Sequence, residues 1–317
     1  MRLLLTLLFM TTFLHAETMN SFGYTNCFVL KNTAHTRVII APQAGGRILE
    51  YAYDGVNVLY QDPTQAGWTS TSGTPAPDPC GGRFDVGPEF ILPRHPALWL
   101  NAWEVVAASA RSATIRSVID PATGLQLTRT FTLDETTSHL QCRQTMRNCS
   151  SNTVSCCYWS RTLATGHGIV LIPLSAWSRF PKHYIMYGPG SVMNFMPDDP
   201  AIRQRDGFLE IIAPPERPKL GMDAQTGVIA YLTRDNLLFV KHFAVYPDRP
   251  YAELAGLTIS IWYKETSRCE LEPIGPLERL APGAEATYEE NWTLHPFPFP
   301  QNNAPVDLTH IRKLLDK

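Results

Sequence analysis

The stretch that decides the fold is residues 263–294, YKETSRCELEPIGPLERLAPGAEATYEENWTL. Within it, residues 269–272 (CELE) read as a strand. Side chains two apart on a strand point the same way, so Glu270 and Glu272 share a face. Pro273, Gly275 and Pro276 end that strand, because proline cannot donate to a ladder. A second break at Ala281-Pro282-Gly283 precedes residues 286–294, rich in Thr, Tyr and Trp, which read as a second strand pairing back nearby. Two carboxylates at a strand end beside a rigid turn suit acid–base work or the gripping of hydroxyls. The plainer alternative is a solvated edge whose charges face water.

The rest of the chain repeats this rhythm of short runs and turns. Residues 27–60 give successive antiparallel strands, with Asp54-Gly55 a hairpin signal and Gly45-Gly46 a tight turn. Residues 105–162 continue as strands, turning at Pro121-Ala122-Thr123-Gly124 and Ser150-Ser151-Asn152. Residues 62–79 and 177–204 read as long irregular segments. Residues 236–246 (NLLFVKHFAVY) form a buried strand on which Lys241 and His242 face opposite ways, one of them toward a cleft. His167, between two glycines, is an exposed turn residue or an acid–base group with room around it. After a proline-rich connector, Asp307 caps a terminal helix whose Leu308, Ile311, Leu314 and Leu315 make one apolar stripe.

The most chemically loaded loop is residues 80–103, CGGRFDVGPEFILPRHPALWLNAW. Arg83, Asp85, Glu89, Arg94 and His95 converge there beside two tryptophans, on a backbone stiffened by Gly and Pro. Charges that take hydroxyls, next to rings that stack on C–H faces, are what a sugar site needs. The alternative is a connecting loop whose charges pair with one another.

Composition narrows the classes. Charged residues at 18% and hydrophobic residues at 44% describe a globular chain, and the 26 prolines and 20 glycines, scattered as turn markers, favour an all-β architecture. Residues 1–16 read as a secretory signal peptide: Arg2, an apolar run, then Ala16 at the cut. The chain is therefore expected to be secreted or periplasmic, with no membrane span in the mature protein. Net charge is −2, and without a basic run nucleic acid is not expected as a partner. The seven cysteines, 27, 80, 142, 149, 156, 157 and 269, permit disulfides but leave at least one thiol free or paired between chains. No pair has zinc spacing with nearby His, so neither metal nor cofactor is expected.

The closing segment, with Glu270-Leu271-Glu272 and Pro276-Leu277, resembles that of galactose mutarotase-like proteins, in particular a secreted branch related to the aldose 1-epimerases. Cys80-Gly81-Gly82-Arg83-Phe84, Gly87-Pro88-Glu89 and Leu238-Phe239-Val240-Lys241 are similar too. The resemblance implies a large antiparallel β-supersandwich over residues 17–296, with residues 297–317 as connector and short C-terminal helix. It implies a sugar cleft on one sheet and chemistry at the anomeric carbon, with Glu270 the first choice of base and Glu272 the second. Arg83 and Lys241 resemble sugar-gripping cations. The family's acid is a His in Asn-His-x-Tyr-Phe, and the comparable strand here reads Tyr158-Trp159-Ser160-Arg161-Thr162. An acid here would have to come from His95, His167 or His242, on a neighbouring segment. Glu89, Arg94, Trp159, Arg161 and His242 complete the candidate contacts to a small saccharide or glycan. Three functions stay open: an aldose epimerase, a non-catalytic saccharide-binding protein, and a structural or assembly protein.

Overall fold

A computed structural model of the chain describes residues 16–189, 192–302 and 304–315, so all of the expected signal peptide except Ala16 lies outside the described residues. Among those residues, the strands form a 13-stranded and a 10-stranded sheet in which the pairings are antiparallel. The core of the first sheet runs, in spatial order, Arg47–Tyr53, Gly82–Gly87, Val154–Thr165, Arg268–Pro273, Ile259–Glu265, Lys219–Met222 and Ile185–Tyr187. The second sheet centres on Val228–Leu232, Leu237–Phe243, Glu285–Pro296, Leu140–Asn148 and Leu125–Leu133. This is the expected all-β supersandwich with a short C-terminal helix.

Alternation builds the interior. Leu125–Leu133 buries every second residue, which is how a strand with one face on a core reads. Phe84, Tyr158, Phe239 and Trp292 meet between the sheets; Phe84 stacks on Trp292 at 5.6 Å, and Phe239 meets Trp292 edge-on at 5.1 Å. Packed aromatics of this kind add to the stabilisation from area burial alone.

Several turns match the sequence reading. Asp54 and Gly55 take φ of 49° and 81°, the two positive values of a type I′ hairpin turn. At Gly45, with φ of 73°, a Cβ would lie 2.1 Å from the Trp99 carbonyl oxygen. Only glycine lets that turn press against the 80–103 loop.

Three expectations are corrected. The strand Glu285–Pro296 does not pair with Arg268–Pro273. It lies in the other sheet, between Leu237–Phe243 and Leu140–Asn148, because Pro273 and Pro276 stop the ladder and Glu278–Leu280, paired with Val154–Cys156, carries the chain away. Residues 219–222, to which the sequence reading gave no strand, form the strand Lys219–Met222. The segment 177–204 contains the strands Ile185–Tyr187, Met193–Asn194 and Ile202–Arg205.

The outer face of the second sheet is covered. Phe297, Phe299, Val306, Leu308 and Ile311 pack on Leu171, Leu232, Leu238 and Val240. The helix Leu308–Leu315 is capped by Asp307, whose Oδ1 accepts from His310 N at 2.9 Å. All seven cysteines are free thiols; six are buried and Cys149 is exposed. Cys156 and Cys157 face opposite layers, as adjacent strand residues must.

The interior also holds a buried ion pair. Lys241 Nζ lies 3.0 Å from Glu290 Oε2, both side chains wholly buried, and also donates to Ser160 Oγ at 2.9 Å, Thr162 Oγ1 at 3.0 Å and the Leu271 carbonyl at 3.1 Å. Glu290 accepts further bonds from Tyr158 Oη and from Trp292 Nε1 at 2.7 Å. Removing one partner of such a pair strands a buried charge, so Lys241→Met should lower stability by about 3–5 kcal/mol. Denaturant unfolding reads this directly; a loss under about 1 kcal/mol would mean that the pair contributes no more than a surface one.

Candidate functional site

The face of the first sheet turned away from the second sheet carries the charged residues. On Gly82–Gly87, Phe84 and Val86 point inward, which leaves Arg83 and Asp85 on the outer side. On Val154–Thr165, Tyr158 points inward and Trp159 outward, so Arg161 joins Trp159. On Arg268–Pro273, Cys269 and Leu271 enter the core, leaving Glu270 and Glu272 on the site face. Register sets Arg161 directly opposite Arg83 and Trp159 opposite Asp85.

Asp85 is the hub of one cluster. Its Oδ2 accepts from Arg83 Nη2 at 2.8 Å, and its Oδ1 from His95 Nε2 and its neighbour's Val86 N, both at 2.8 Å. Burial alone would raise its pKa, but the charges of Arg83 and His95 outweigh this and hold it well below the ordinary carboxylate range. Arg83 also donates to Asp78 Oδ1 at 2.8 Å and lies over the Trp99 ring at 4.4 Å. His95 is 9% exposed, and its Nδ1 meets the Pro93 carbonyl at 2.8 Å. Both ring nitrogens thus face acceptors, which suits an imidazolium. Burial opposes that charge, the Asp85 carboxylate more than offsets it, and the His95 pKa is raised above 6.5.

The second cluster sits one strand over. Arg161 Nε donates to Glu270 Oε1 at 3.0 Å. Against the cost of burial, the Arg161 charge keeps the Glu270 pKa low. Lys219 Nζ bonds both oxygens of Glu272, at 2.6 and 2.7 Å, and Trp159 Nε1 donates to Glu272 Oε2 at 2.9 Å. Burial, helped by the charge of Glu270, nevertheless pushes Glu272 up to about 7. At the rim, buried Glu253, its carboxyl raised by burial, accepts from Glu89 N at 2.9 Å and so pins the loop.

Above these clusters opens a cavity of about 240 Å³, lined by Arg83, Asp85, Glu89, Arg94, His95, Trp99 and Arg161 among others. The structure thus gathers Arg83, Glu89, Arg94, His95, Trp159 and Arg161 around one opening, with Glu270 tied to it through Arg161. Trp159 lines the opening but is only 2% exposed, so its ring serves as floor more than as a free stacking surface. Three candidates lie elsewhere. Lys241 is between the sheets, bound as described, because its strand belongs to the second sheet. His242 is on that sheet's outer face, its ring nitrogen 3.3 Å from the Leu315 carbonyl. His167 is an exposed turn residue with φ of 61°, whose carbonyl accepts from Arg234. Lys219 and Glu253 were missed. The alternation Lys219, Leu220, Gly221, Met222 was the available signal for Lys219, masked by Pro218 and Gly221.

The His95–Asp85 pair has a pH signature. Its contribution to stability is complete below pH 6.5 and lost as pH rises through the elevated folded value. Asp85→Asn should remove the largest contributions that oppose burial, leaving those of the Pro93 carbonyl and Asp120, and so lower the His95 pKa, read by NMR titration of the imidazole. An unchanged titration would mean that the carboxylate does not govern this histidine.

Comparison with known proteins agrees with this architecture. A galactose mutarotase-like protein from Lactobacillus casei superposes with a TM-score of 0.60 at 12% identity, covering 85% of this chain and 100% of its own. The Slr1438 protein of Synechocystis gives 0.58 at 14% identity, covering 85% and 96%. A galactose mutarotase related enzyme from Lactobacillus acidophilus gives 0.51 at 14%, covering 86% and 98%. At these identities the likeness is one of fold, and the fold is mutarotase-like. No curated protein matches the sequence. The profile of a domain of unknown function, DUF4380, matches residues 89–295, a span that begins after Arg83 and Asp85 and holds Arg94, His95, Arg161, the strand of Glu270 and Glu272 and the Lys241–Glu290 pair, and the chain therefore belongs to the DUF4380 family.

Proposed function

We propose that this protein binds a saccharide in the cavity on the first sheet and leaves it chemically unchanged. The observation that carries the reading is the convergence of Arg83, Arg94, Arg161, His95 and the half-buried Trp99 on one opening of about 240 Å³. That volume is at the small end for ligand sites and suits a single ring. A pyranose presents hydroxyls to the charged groups and a C–H face to the indole. Structural neighbours described as galactose mutarotase-like support a sugar ligand.

Binding without turnover follows from how the ionisable groups are committed. Anomer interconversion needs a base for the anomeric hydroxyl and an acid for the ring oxygen, each free to move a proton. Glu270 is held as a low-pKa carboxylate by Arg161, and both His95 nitrogens are taken by protein acceptors. A second reading, anomeric epimerase, is favoured by Glu272, which burial pushes up to about 7, in the range of a general base near neutral pH. That carboxylate is nonetheless wholly buried outside the cavity lining, with Lys219 and Trp159 on its oxygens. Under either reading the protein works outside the cytoplasm, resting on the signal-like residues 1–16.

Proton NMR with freshly dissolved aldoses and uronic acids separates the readings. Ligand line broadening with the uncatalysed rate of anomer exchange is the expected result. Accelerated exchange that disappears in Glu272→Gln or Glu270→Gln would replace the binding reading with the enzymatic one. Absence of both broadening and acceleration across the panel would remove saccharides altogether.

A further inference from the structure

Four cations line the cavity, and they differ in what they have left to offer. Arg83 donates through one terminal nitrogen to Asp78 and through the other to Asp85. His95 has acceptors on both ring nitrogens. Arg161 is different: only its Nε has a partner, Glu270, and among the described residues neither terminal amino group has a hydrogen-bond acceptor. Its side chain is 20% exposed, so those donors are reachable from the cavity. Arg94, also on the lining and exposed, has neither an ion pair nor a hydrogen bond among the described residues.

The acceptors show the opposite pattern. Asp85, buried in the lining, already takes three donors. Asp78 and Glu89 are solvent-exposed. What the protected part of the cavity offers, therefore, is uncommitted donors and no uncommitted acceptor. The strand register sharpens this, because Arg83 and Arg161 are directly opposed. Arg83 is already held by Asp78 and Asp85, so the donors left for a ligand between these strands are the terminal amino groups of Arg161. A planar guanidinium with two free amino groups fits a carboxylate through two parallel bonds.

Resting on the saccharide-binding reading above, we infer that the ligand is an acidic sugar, a uronate whose carboxylate is taken by the terminal amino groups of Arg161 with Arg94 beside it. The sugar ring then lies toward Trp99, and Arg161 bridges the ligand's carboxylate and Glu270. Binding is accordingly salt-sensitive, since part of the attraction is between charges near solvent.

The test is calorimetric titration of the purified chain with several uronates, each against its parent hexose, the matching hexose 6-phosphate, and acetate. The expected result is uronate affinity on the order of tenfold or more above the parent hexose, with the preference shrinking as salt is raised. Arg161→Gln should weaken uronate roughly 10- to 100-fold, and Arg94→Gln should weaken it by a smaller factor of about 3, with the hexose changed less in both. If Arg161→Gln fails to fold because it strands Glu270, the exposed Arg94→Gln and the salt dependence still decide. Equal binding of hexose and uronate would overturn this inference and leave the saccharide reading intact. No binding of any sugar would overturn the reading itself. Acetate binding as tightly as uronate would mean an anion site indifferent to sugars, and tighter binding of the phosphates would overturn the carboxylate assignment.

Discussion

The site depends on an interaction that it does not contain. Lys241 is buried between the sheets, where burial pushes its pKa down and Glu290 and three oxygens work against that. Those oxygens belong to Ser160, Thr162 and Leu271. Each is the sequence neighbour of a residue on the opposite face: Trp159 and Arg161 flank Ser160, while Glu270 and Glu272 flank Leu271. A strand slipped by one residue would exchange the two sets. The inner polar knot therefore pins the pleat of the two strands whose outer face holds the carboxylates and Arg161. Arg129 does similar work beneath the loop, donating to the Gly45 and Gly46 carbonyls at 2.8 and 3.1 Å and lying 4.0 Å from the Trp103 ring. Gln144, which receives Arg129 Nε, in turn donates to the Asp85 carbonyl.

On the outer face the chemistry is that of nearly complete compensation. Asp85, Glu270 and Glu272 each have a cation within hydrogen-bond reach, and the two clusters share a strand through Arg161. The consequence is an environment in which neighbouring carboxyls behave differently: Asp85 and Glu270 are held ionised, while Glu272 is pushed toward neutrality despite Lys219. Divergent pKa values in one cleft are common at functional sites and also arise in structural ion-pair networks. The uncommitted donors of Arg161 and Arg94 are the feature on which the proposed ligand site rests.

What the sequence made legible was local. The shared face of Glu270 and Glu272 follows from a period of two. The clustering of Arg83, Glu89, Arg94 and His95 follows from their nearness along a loop that Gly and Pro stiffen. Layer assignment was not legible. A supersandwich has two outer faces and one interior, and alternation says that Lys241 and His242 oppose each other without saying which layer either meets. Partner choice was hidden for the same reason: residues 285–296 look like the natural mate of residues 268–273, yet long-range packing sends them to the other sheet. Lys219 lay in a run too short and too broken by Pro and Gly to declare itself. The His95–Asp85 contact needed the fold of the loop, which nine intervening residues do not specify.

The distribution of thiols has a consequence for covalent assembly. Six sulfurs are sealed in the interior, and among them Cys27, Cys80, Cys142, Cys156, Cys157 and Cys269 all have pKa values raised by burial, which keeps them protonated and poorly nucleophilic. Cys149 alone reaches solvent, in the turn that follows Leu140–Asn148. In oxidising surroundings the folded chain consequently has a valence of one. It can close a single bridge to another molecule, and two copies joined in that way have no further sulfur at the surface with which to grow.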